Sequence, residues 1–258
     1  FHENGFLNGG ALLTDEKVDV LRDELKRVIE DRDRSDVKQP ILLHNFTRDE
    51  TAPVWQIVNI WEASNPFGGL VRSAQVAESI AQLTGSDSLC IWHDQIQYKP
   101  AEVGGVNMWH QDAPLWPIIR PMTEVSAWIA LDDVDEGNGC MSMVPGSHKW
   151  GDEMDFLSTL ENFKAVPSEF KGNKVEVVPC PVKKGEVHFH HALTWHGSHA
   201  NLSDRKRRAI AIHYMTDETY YVANGEHVMK PYVTVADGER LEGEHFPKVW
   251  SKAVSEAI

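Results

Sequence analysis

The pattern of hydrophobic positions divides the chain near residue 85 into a helical first third and a strand-rich remainder. Before residue 85, apolar residues recur three and four positions apart, which is the spacing of one face of a helix. Thr14 can cap a helix that runs from Asp15 to about Arg32. The same spacing predicts a second helix over Pro66–Leu83, which Gly85 is placed to end.

After Gly85 the pattern changes to short segments rich in β-branched and aromatic residues, separated by Gly, Pro, Asn and Asp clusters. Such segments predict strands, of which the clearest are Ser88–Tyr98, Glu124–Leu131, Val175–Val178, Glu186–His190 and Arg207–Met215. No repeat, low-complexity tract or clear linker interrupts them. The pattern therefore predicts one domain in which helices come first and an antiparallel sandwich or barrel follows.

Composition narrows the class of protein but not its chemistry. The chain is 41% hydrophobic and 25% charged, which excludes wholesale disorder. Its net charge of −14 argues against a nucleic-acid or anionic-membrane partner, and no apolar run approaches the roughly 20 residues of a membrane span.

The cysteines and the absence of a signal peptide bear on where the protein acts. Cys90, Cys140 and Cys180 are far apart and suit a reducing compartment. Because no signal peptide is visible either, we expect a cytoplasmic protein. The chain opens at Phe1 rather than Met, so we expect that a few leading residues are missing.

A His-x-Asp pair, His110 and Asp112, is the first candidate for chemistry. Residues two apart in a strand point to the same face, so the imidazole and the carboxylate can converge on one metal ion. Chance alone places about one such pair in a chain of this composition, so the pair indicates little by itself. His196 can supply a third ligand. Two histidines and one carboxylate that leave other positions open are typical of non-haem Fe(II) oxygenases.

An arginine on a predicted inner strand face is the second candidate. Arg207, Ala209, Ala211 and His213 share one face of their strand. A buried arginine flanked by alanines is costly unless an anion pairs with it. A dicarboxylate cosubstrate would supply that anion, held by both edges of the guanidinium.

The strand at Ser88–Tyr98 carries a polar face formed by His93, Gln95, Gln97 and, at its end, Lys99. Periodicity alone favours a face that points to solvent. The alternative is that Lys99 points back into the metal cavity.

Together, these motifs resemble the phytanoyl-CoA dioxygenase family of Fe(II)/2-oxoglutarate oxygenases over nearly the whole chain. The matching segments are Phe1–Leu7, Tyr98–Pro100, Trp109–Asp112, Glu124–Asp133, Asn138–Met141, Val144–Lys149, and His196–Ser198 followed by Arg207. Each motif is weak alone, but their order and number are specific.

The resemblance implies a fold and a set of site residues. The fold is mainly β with N-terminal helices, a double-stranded β-helix of the jelly-roll or cupin-like kind. A single domain would span 1–258, with a helical buttress over about 1–85, the jelly-roll core over about 86–220 and a C-terminal extension. The implied iron ligands are His110, Asp112 and His196. The implied 2-oxoglutarate contacts are Arg207, Ser198, Lys99, Trp128 and Gln95.

The resemblance also implies the reaction. Fe(II), 2-oxoglutarate and O2 would hydroxylate an unactivated C–H bond, with release of succinate and CO2. We expect a small-molecule metabolite or natural-product intermediate as substrate, since the acidic chain offers few cations to the phosphates of an acyl-CoA. Expected substrate contacts are His93, Gln97, Trp116 and Arg120. An acyl-CoA substrate, a zinc hydrolase with the same ligands and a barrel that only binds a ligand remain alternatives.

Other conspicuous residues receive simpler interpretations. We interpret His188, His190 and His191 as packed or supporting histidines rather than ligands. The acidic run at 132–136 is interpreted as a solvated turn rather than a calcium loop, and the basic run at 205–208 as a solvated strand start apart from Arg207. Four tryptophans are expected in the core, and one or two of them at the substrate wall: Trp109, Trp116, Trp128 and Trp195.

Overall fold

The computed structural model describes residues 1–45 and 54–252. The helices are Asp15–Glu30 (α1), Ile60–Ala63 (α2), Asn65–Val71 (α3), Ala74–Thr84 (α4) and Met154–Leu157 (α5). The strands are Phe6–Ala11 (β1), Leu42–Asn45 (β2), Trp55–Val58 (β3), Ser88–Lys99 (β4), Asn107–His110 (β5), Ile119–Arg120 (β6), Val125–Ala130 (β7), Met141–Met143 (β8), Glu169–Phe170 (β9), Asn173–Lys174 (β10), Val178–Cys180 (β11), Glu186–His191 (β12), His196–Ser198 (β13), Arg207–Met215 (β14), Tyr220–Tyr221 (β15) and Lys248–Ser251 (β16).

Two antiparallel sheets form the body of the molecule. The major sheet has the order β1-β12-β7-β14-β4-β3-β2, and β16 also pairs with β4. The minor sheet has the order β11-β8-β13-β5. Strands adjacent in either sheet are mostly distant in sequence, which is the strand order of a jelly roll rather than of consecutive hairpins. The predicted class, mainly β with N-terminal helices, is confirmed.

Alternation along the major strands separates an apolar outer face from a polar inner face. Ile96, Ile129 and Ile210 lie in one core cluster with the buried residues of α1, α3 and α4. Their neighbours along the strands point the other way, as the two-residue period of a strand requires. The helices therefore cover the outer face, and the inner face is left for the cavity described below.

The predicted helices are confirmed with one correction. Thr14 caps α1 by accepting a hydrogen bond from the backbone N–H of Lys17, and the helix ends two residues before Arg32. The single helix predicted over Pro66–Leu83 is instead two helices, α3 and α4. They separate at Ser73, whose side chain accepts from the N–H of Val76 and so starts a new helix.

The expectation that residues 1–85 form only a helical buttress is wrong, because β1, β2 and β3 lie there and join the major sheet. These strands are short or interrupted by glycine, so their alternation is weak. The strand predicted at Val175–Val178 lies at β11 instead, where Val178 and Cys180 pair with Met143 and Met141. The C-terminal extension returns to the major sheet as β16.

Among the described helices, none has both the length and the hydrophobicity needed to cross a bilayer. The compartment in which the protein acts stays a prediction.

Candidate active site

The three predicted metal ligands converge on one point. The Nε2 atom of His196 lies 3.5 Å from Oδ1 of Asp112, and Nε2 of His110 lies 3.7 Å from the same oxygen. All three donor atoms lie within 4.8 Å of one another. Within the described ranges, this is the one group of three or more His, Cys, Asp or Glu side chains close enough to share a metal ion.

Strand pairing and a turn, rather than strand alternation alone, bring these ligands together. His110 ends β5 and stands opposite His196 in β13. Asp112 lies beyond the strand, in helical backbone geometry at φ −73° and ψ −50°. Its backbone N–H donates to the carbonyl of Ala192, which holds the turn against the segment before β13. The expectation that both residues of the pair lie in one strand is therefore corrected.

Backbone carbonyls fix the orientation of both imidazoles. Nδ1 of His110 donates to the carbonyl of Met108 at 2.7 Å, and Nδ1 of His196 donates to that of Thr194 at 2.9 Å. A carbonyl only accepts, so the proton lies on Nδ1 and the Nε2 lone pair faces Asp112. Burial lowers the pKa of His110 to about 4 and also lowers that of His196, so both rings are neutral at pH 7.

The carboxylate completes a donor set that suits iron. Burial acts to raise the pKa of Asp112. The charge of His196 when that ring is protonated and the hydrogen bond from His190 act in the other direction, and they hold the pKa of Asp112 well below its usual range. Two neutral imidazoles and one carboxylate are the forms that bind a divalent metal. Because only three protein ligands converge, further coordination positions remain for other molecules, as a non-haem Fe(II) site requires.

A cavity between the two sheets, here called the metal cavity, contains this cluster. Its lining comes from both sheets and consists of Gln97, Asn107, His110, Asp112, Trp128, Met141, His190, His196, Gly197, Ser198, Ala211 and His213. A second, more open space, here called the adjoining groove, shares Gln97 and Asn107 with it and also contacts Gln95, Lys99 and Arg207.

Arg207 is a buried cation without a partner for two of its nitrogens. Its side chain is 1% exposed, and neither Nε nor Nη1 has a hydrogen-bond partner. The guanidinium lies over Trp128, 5.6 Å from the ring centroid. Burial lowers the pKa of Arg207 to about 10, which still leaves it cationic at neutral pH. Such a group is costly unless an anion binds, and a carboxylate matches its donors.

Lys99 lies directly opposite Arg207 in the pairing of β4 with β14. Its Nζ donates to Oγ of Ser198 at 2.7 Å and to the backbone carbonyls of Ser198 and His199. Burial, and then the charge of Arg207, lowers the pKa of Lys99 to about 6. One cationic guanidinium, one amine with a lowered pKa and one hydroxyl therefore meet at this end of the site.

The polar face of β4 points inward, so the solvent-facing interpretation favoured by periodicity is wrong. His93 and Lys99 are each 3% exposed. Gln97 lines the metal cavity and accepts a hydrogen bond of 3.1 Å from Nε1 of Trp128. On the same inner face, Ala209 and Ala211 lie beside Gln97 and Gln95 and leave room that larger side chains would fill.

The four predicted substrate contacts differ in whether they line the metal cavity. Gln97 lines the metal cavity. The rings of His93 and Trp116 each lie 4.7 Å from that of His213, which does line it. Arg120 lines neither the metal cavity nor the adjoining groove, and its Nη1 donates to the backbone carbonyls of Ile119 and Trp116.

Several charged residues outside the cavity have partners that the sequence did not indicate. Asp132 is buried and pairs with both Arg22 and Arg208, so the interpretation of the acidic run as a solvated turn is wrong at this position. Arg205 pairs with Asp135. The four tryptophans predicted for the core are buried.

Ser126, to which the sequence pattern assigned no role, donates a hydrogen bond to the carboxylate of Asp112. His190 also contacts this carboxylate, which agrees with its interpretation as a supporting histidine. A usable signal was present for Ser126, since it shares the inner face of β7 with Trp128, two residues away.

A jelly roll that holds two histidines and a carboxylate beside a buried, unpaired arginine defines the class of Fe(II)/2-oxoglutarate oxygenases. The family model described as Phytanoyl-CoA dioxygenase (PhyH) matches residues 1–209, and the chain belongs to that family.

Individual relatives agree with this assignment. The peroxisomal phytanoyl-CoA dioxygenase of Bos taurus is 27% identical over 244 residues, covering 86% of this chain and 68% of the relative. The ectoine dioxygenase of Bordetella bronchiseptica is 27% identical over 238 residues, covering 84% and 74%. The α-ketoglutarate-dependent carbocyclase SnoK from nogalamycin biosynthesis superimposes with a TM-score of 0.75 at 25% identity, over 96% of this chain and 93% of SnoK.

The protein is therefore a 2-oxoglutarate-dependent dioxygenase that uses Fe(II), 2-oxoglutarate and O2. The predicted family, fold, enzyme class and cofactors are confirmed.

Proposed function

We propose that the enzyme hydroxylates an unactivated C–H bond of a small-molecule metabolite or natural-product intermediate, with release of succinate and CO2. The observation that carries the proposal is the buried, partly unpaired guanidinium of Arg207 beside a His–Asp–His cluster. The guanidinium provides a binding site for one carboxylate of 2-oxoglutarate, and the cluster provides a metal site within the same barrel.

Each end of the barrel has its own task in this proposal. His110, Asp112 and His196 hold the iron, which together with 2-oxoglutarate and O2 supplies the oxidant for the C–H bond. The carboxylate of Asp112 balances part of the metal charge. The two backbone-anchored imidazoles keep their lone pairs aimed at the same point.

The other end orients the cosubstrate. Arg207 binds its distal carboxylate, and Ser198 and Lys99 place a hydroxyl and an amine next to the same position. The ring face of Trp128 lies against the guanidinium, 5.6 Å from the ring centroid, and so favours its cationic form. Gln95 faces the adjoining groove from the same strand face as Lys99. By binding the far end of the cosubstrate, these residues would restrict its orientation in the barrel.

The cavity lining supports a small substrate. Apart from Asp112, no acidic residue among the described ones lines the metal cavity or the adjoining groove. The two basic side chains that line the groove, Lys99 and Arg207, are assigned to 2-oxoglutarate. Neutral hydrogen-bonding groups remain for the substrate, chiefly Gln97, with His93 and Trp116 behind His213. We propose no substrate role for Arg120. An acyl-CoA would need further cations for its phosphates.

The test has two parts, a spectroscopic measurement of cofactor binding and a screen for product formation. Fe(II) and then 2-oxoglutarate are added anaerobically to the metal-free protein and to Asp112→Ala, and the visible charge-transfer band of the chelate is recorded. We expect the band in the parent and its loss in the variant. Tight Zn²⁺ binding without any 2-oxoglutarate affinity would overturn the proposal in favour of a hydrolase.

Succinate release is then screened against small metabolites, natural-product intermediates and an acyl-CoA. We expect stimulation by a compound of the first two kinds, which is isolated to show the new hydroxyl group. Strong stimulation by the acyl-CoA alone would overturn the small-molecule assignment while leaving the reaction class intact.

A further inference from the structure

The side chain of Asp112 is oriented by different hydrogen-bond partners from those that orient His110 and His196. The Nδ1 atoms of His110 and His196 are anchored by backbone carbonyls. Asp112 begins a short turn but makes no side-chain hydrogen bond to that turn. Its carboxylate is held instead by two side chains of the major sheet, Ser126 and His190.

These contacts divide the two carboxylate oxygens between separate tasks. Oδ2 accepts a hydrogen bond of 3.2 Å from Oγ of Ser126 and another of 3.2 Å from Nε2 of His190. Oδ1 is the oxygen that faces the Nε2 atoms of His110 and His196. The two donors thus occupy Oδ2 and turn Oδ1 toward the metal position.

The supporting side chains form one row across the inner face of the sheet. His190 pairs with Ser126, Ser126 with His213, and His213 with His93, on four adjacent strands. All four side chains are buried, with at most 4% exposure. Because cross-strand neighbours lie side by side, the sheet register fixes the row as a unit.

The proton positions within the row follow from the acceptors. A carboxylate only accepts, so Ser126 uses its single proton toward Asp112 and its oxygen accepts from Nδ1–H of His213, 2.7 Å away. His190 likewise carries its proton on Nε2. Its Nδ1 has no partner, as suits an unprotonated ring nitrogen.

We propose that Ser126 and His190 are positioning residues that hold Asp112 in one-oxygen coordination and thereby set the affinity of the metal site. The inference rests on the proposed assignment of Asp112 as a ligand. Side chains that hydrogen-bond a metal ligand restrict its orientation before the metal arrives, and their removal commonly weakens metal binding by about 10- to 100-fold.

The chain offers a matched control for His190. His188 lies two residues earlier on β12, is buried on the same inner face and makes no hydrogen bond to Asp112. A His→Leu change at either position removes the same buried imidazole from the same strand, but only the change at 190 removes a donor to the carboxylate.

The experiment uses Co(II) alone as the probe, bound to the metal-free full chain and followed by calorimetry and visible absorption. We expect His190→Leu and Ser126→Ala to weaken Co(II) binding by about 10- to 100-fold. His188→Leu is expected to stay within about twofold of the parent. His190→Gln and Ser126→Thr, which keep a donor near the same place, are expected to restore most of the affinity. The ligand-field bands of Co(II) should change in the two weakened variants, because the coordination of Asp112 changes.

Equal Co(II) affinity and equal spectra for His190→Leu and His188→Leu would overturn the inference, even if 2-oxoglutarate binding and turnover are normal. Conversely, a parent protein that binds Co(II) as expected but has no affinity for 2-oxoglutarate would overturn the proposed function. The metal-only comparison of the two histidines would still decide the positioning role.

Discussion

The barrel has two ends that differ in how buried charge is compensated: the metal end, centred on Asp112, and the cation end, centred on Arg207. At the metal end, both oxygens of Asp112 have neighbours, and the histidines beside it are anchored through Nδ1. At the other end, Arg207 keeps two nitrogens without partners, although its side chain is almost fully buried. Lys99, next to it, has three acceptors but also the repulsive charge of Arg207 nearby.

This difference shows which part of the site is built by the protein and which part is completed by a ligand. Hydrogen bonds within the protein set the metal end in place before any ion binds. In the proposed function, a carboxylate of 2-oxoglutarate pairs with Arg207 at the cation end. The cost of burying the free guanidinium would then favour the binding of a dicarboxylate. Changes at the cation end should therefore alter cosubstrate affinity while metal affinity stays constant.

The strongest test of this contrast compares Arg207→Met with Arg208→Met. Removal of a buried partner from a hydrogen-bonded charge pair costs about 2 kcal/mol or more, so the Kd for 2-oxoglutarate should rise at least about 30-fold in Arg207→Met. Calorimetry on the metal-loaded protein measures this, and metal affinity should be unchanged. Arg208→Met should leave the Kd nearly unchanged, because Arg208 lies on the opposite face of the strand, where it pairs with Asp132. A similar loss in both variants would show that strand stability, not the anion contact, sets the affinity.

A second prediction concerns the pH dependence of cosubstrate binding. In the free protein Lys99 has a pKa of about 6 and is mostly neutral at pH 7 to 8. An adjacent carboxylate favours the ammonium form, so the pKa rises on binding and a proton is taken up. The affinity for 2-oxoglutarate should therefore fall as the pH rises above about 6, by at most about tenfold per pH unit.

Calorimetry in two buffers of different ionisation enthalpy detects this proton uptake directly. Lys99→Met serves as the control and should flatten the pH dependence. A parent protein that binds the cosubstrate without proton uptake between pH 7 and 8 would show that Lys99 is already protonated in the free state.

The smallest effect is expected at Ser198. Its Oγ accepts from Lys99 and faces the metal cavity, and a hydrogen bond of this kind contributes about 1 kcal/mol. Ser198→Ala should therefore weaken 2-oxoglutarate binding about fivefold without changing metal affinity. Ser142→Ala, on the neighbouring strand and outside the described lining of the cavity, is the matched control. Equal affinities in both variants would limit Ser198 to holding Lys99.

The position of a site residue could be predicted from the sequence where the indication came from its neighbours in the chain, and not where it depended on a distant strand. The inner position of Arg207 follows from the alanines two and four residues later, because strand alternation is a local property. The inward direction of β4 was predicted wrongly, because a polar strand face by itself favours solvent, and only the packing of the second sheet shows that this face lines a cavity. Tertiary structure is likewise needed to place Ser126 and His190, which are 64 residues apart in the chain and meet Asp112 only through the register of β7 with β12.

The helices and strands show the same difference between nearby and distant contacts. Thr14 and Gly85 mark a helix start and a helix end through bonds made within a few residues, and both predictions are confirmed. The strands in the first third were missed because they are short or contain glycine. Their links to the rest of the major sheet are also long-range, since β1 pairs with β12 and β3 with β4.

The sequence alone was sufficient to establish the family and the jelly-roll class and to predict the ligand residues, because all three depend on motifs and on their order along the chain. The tertiary structure was needed to show three further properties: which oxygen of Asp112 faces the metal position, that the guanidinium of Arg207 is partly unpaired, and that the polar face of β4 is buried. Those properties depend on strand register and on packing between the sheets. A one-residue change of register would turn strand residues such as Ser126, His190 and Arg207 to the opposite face.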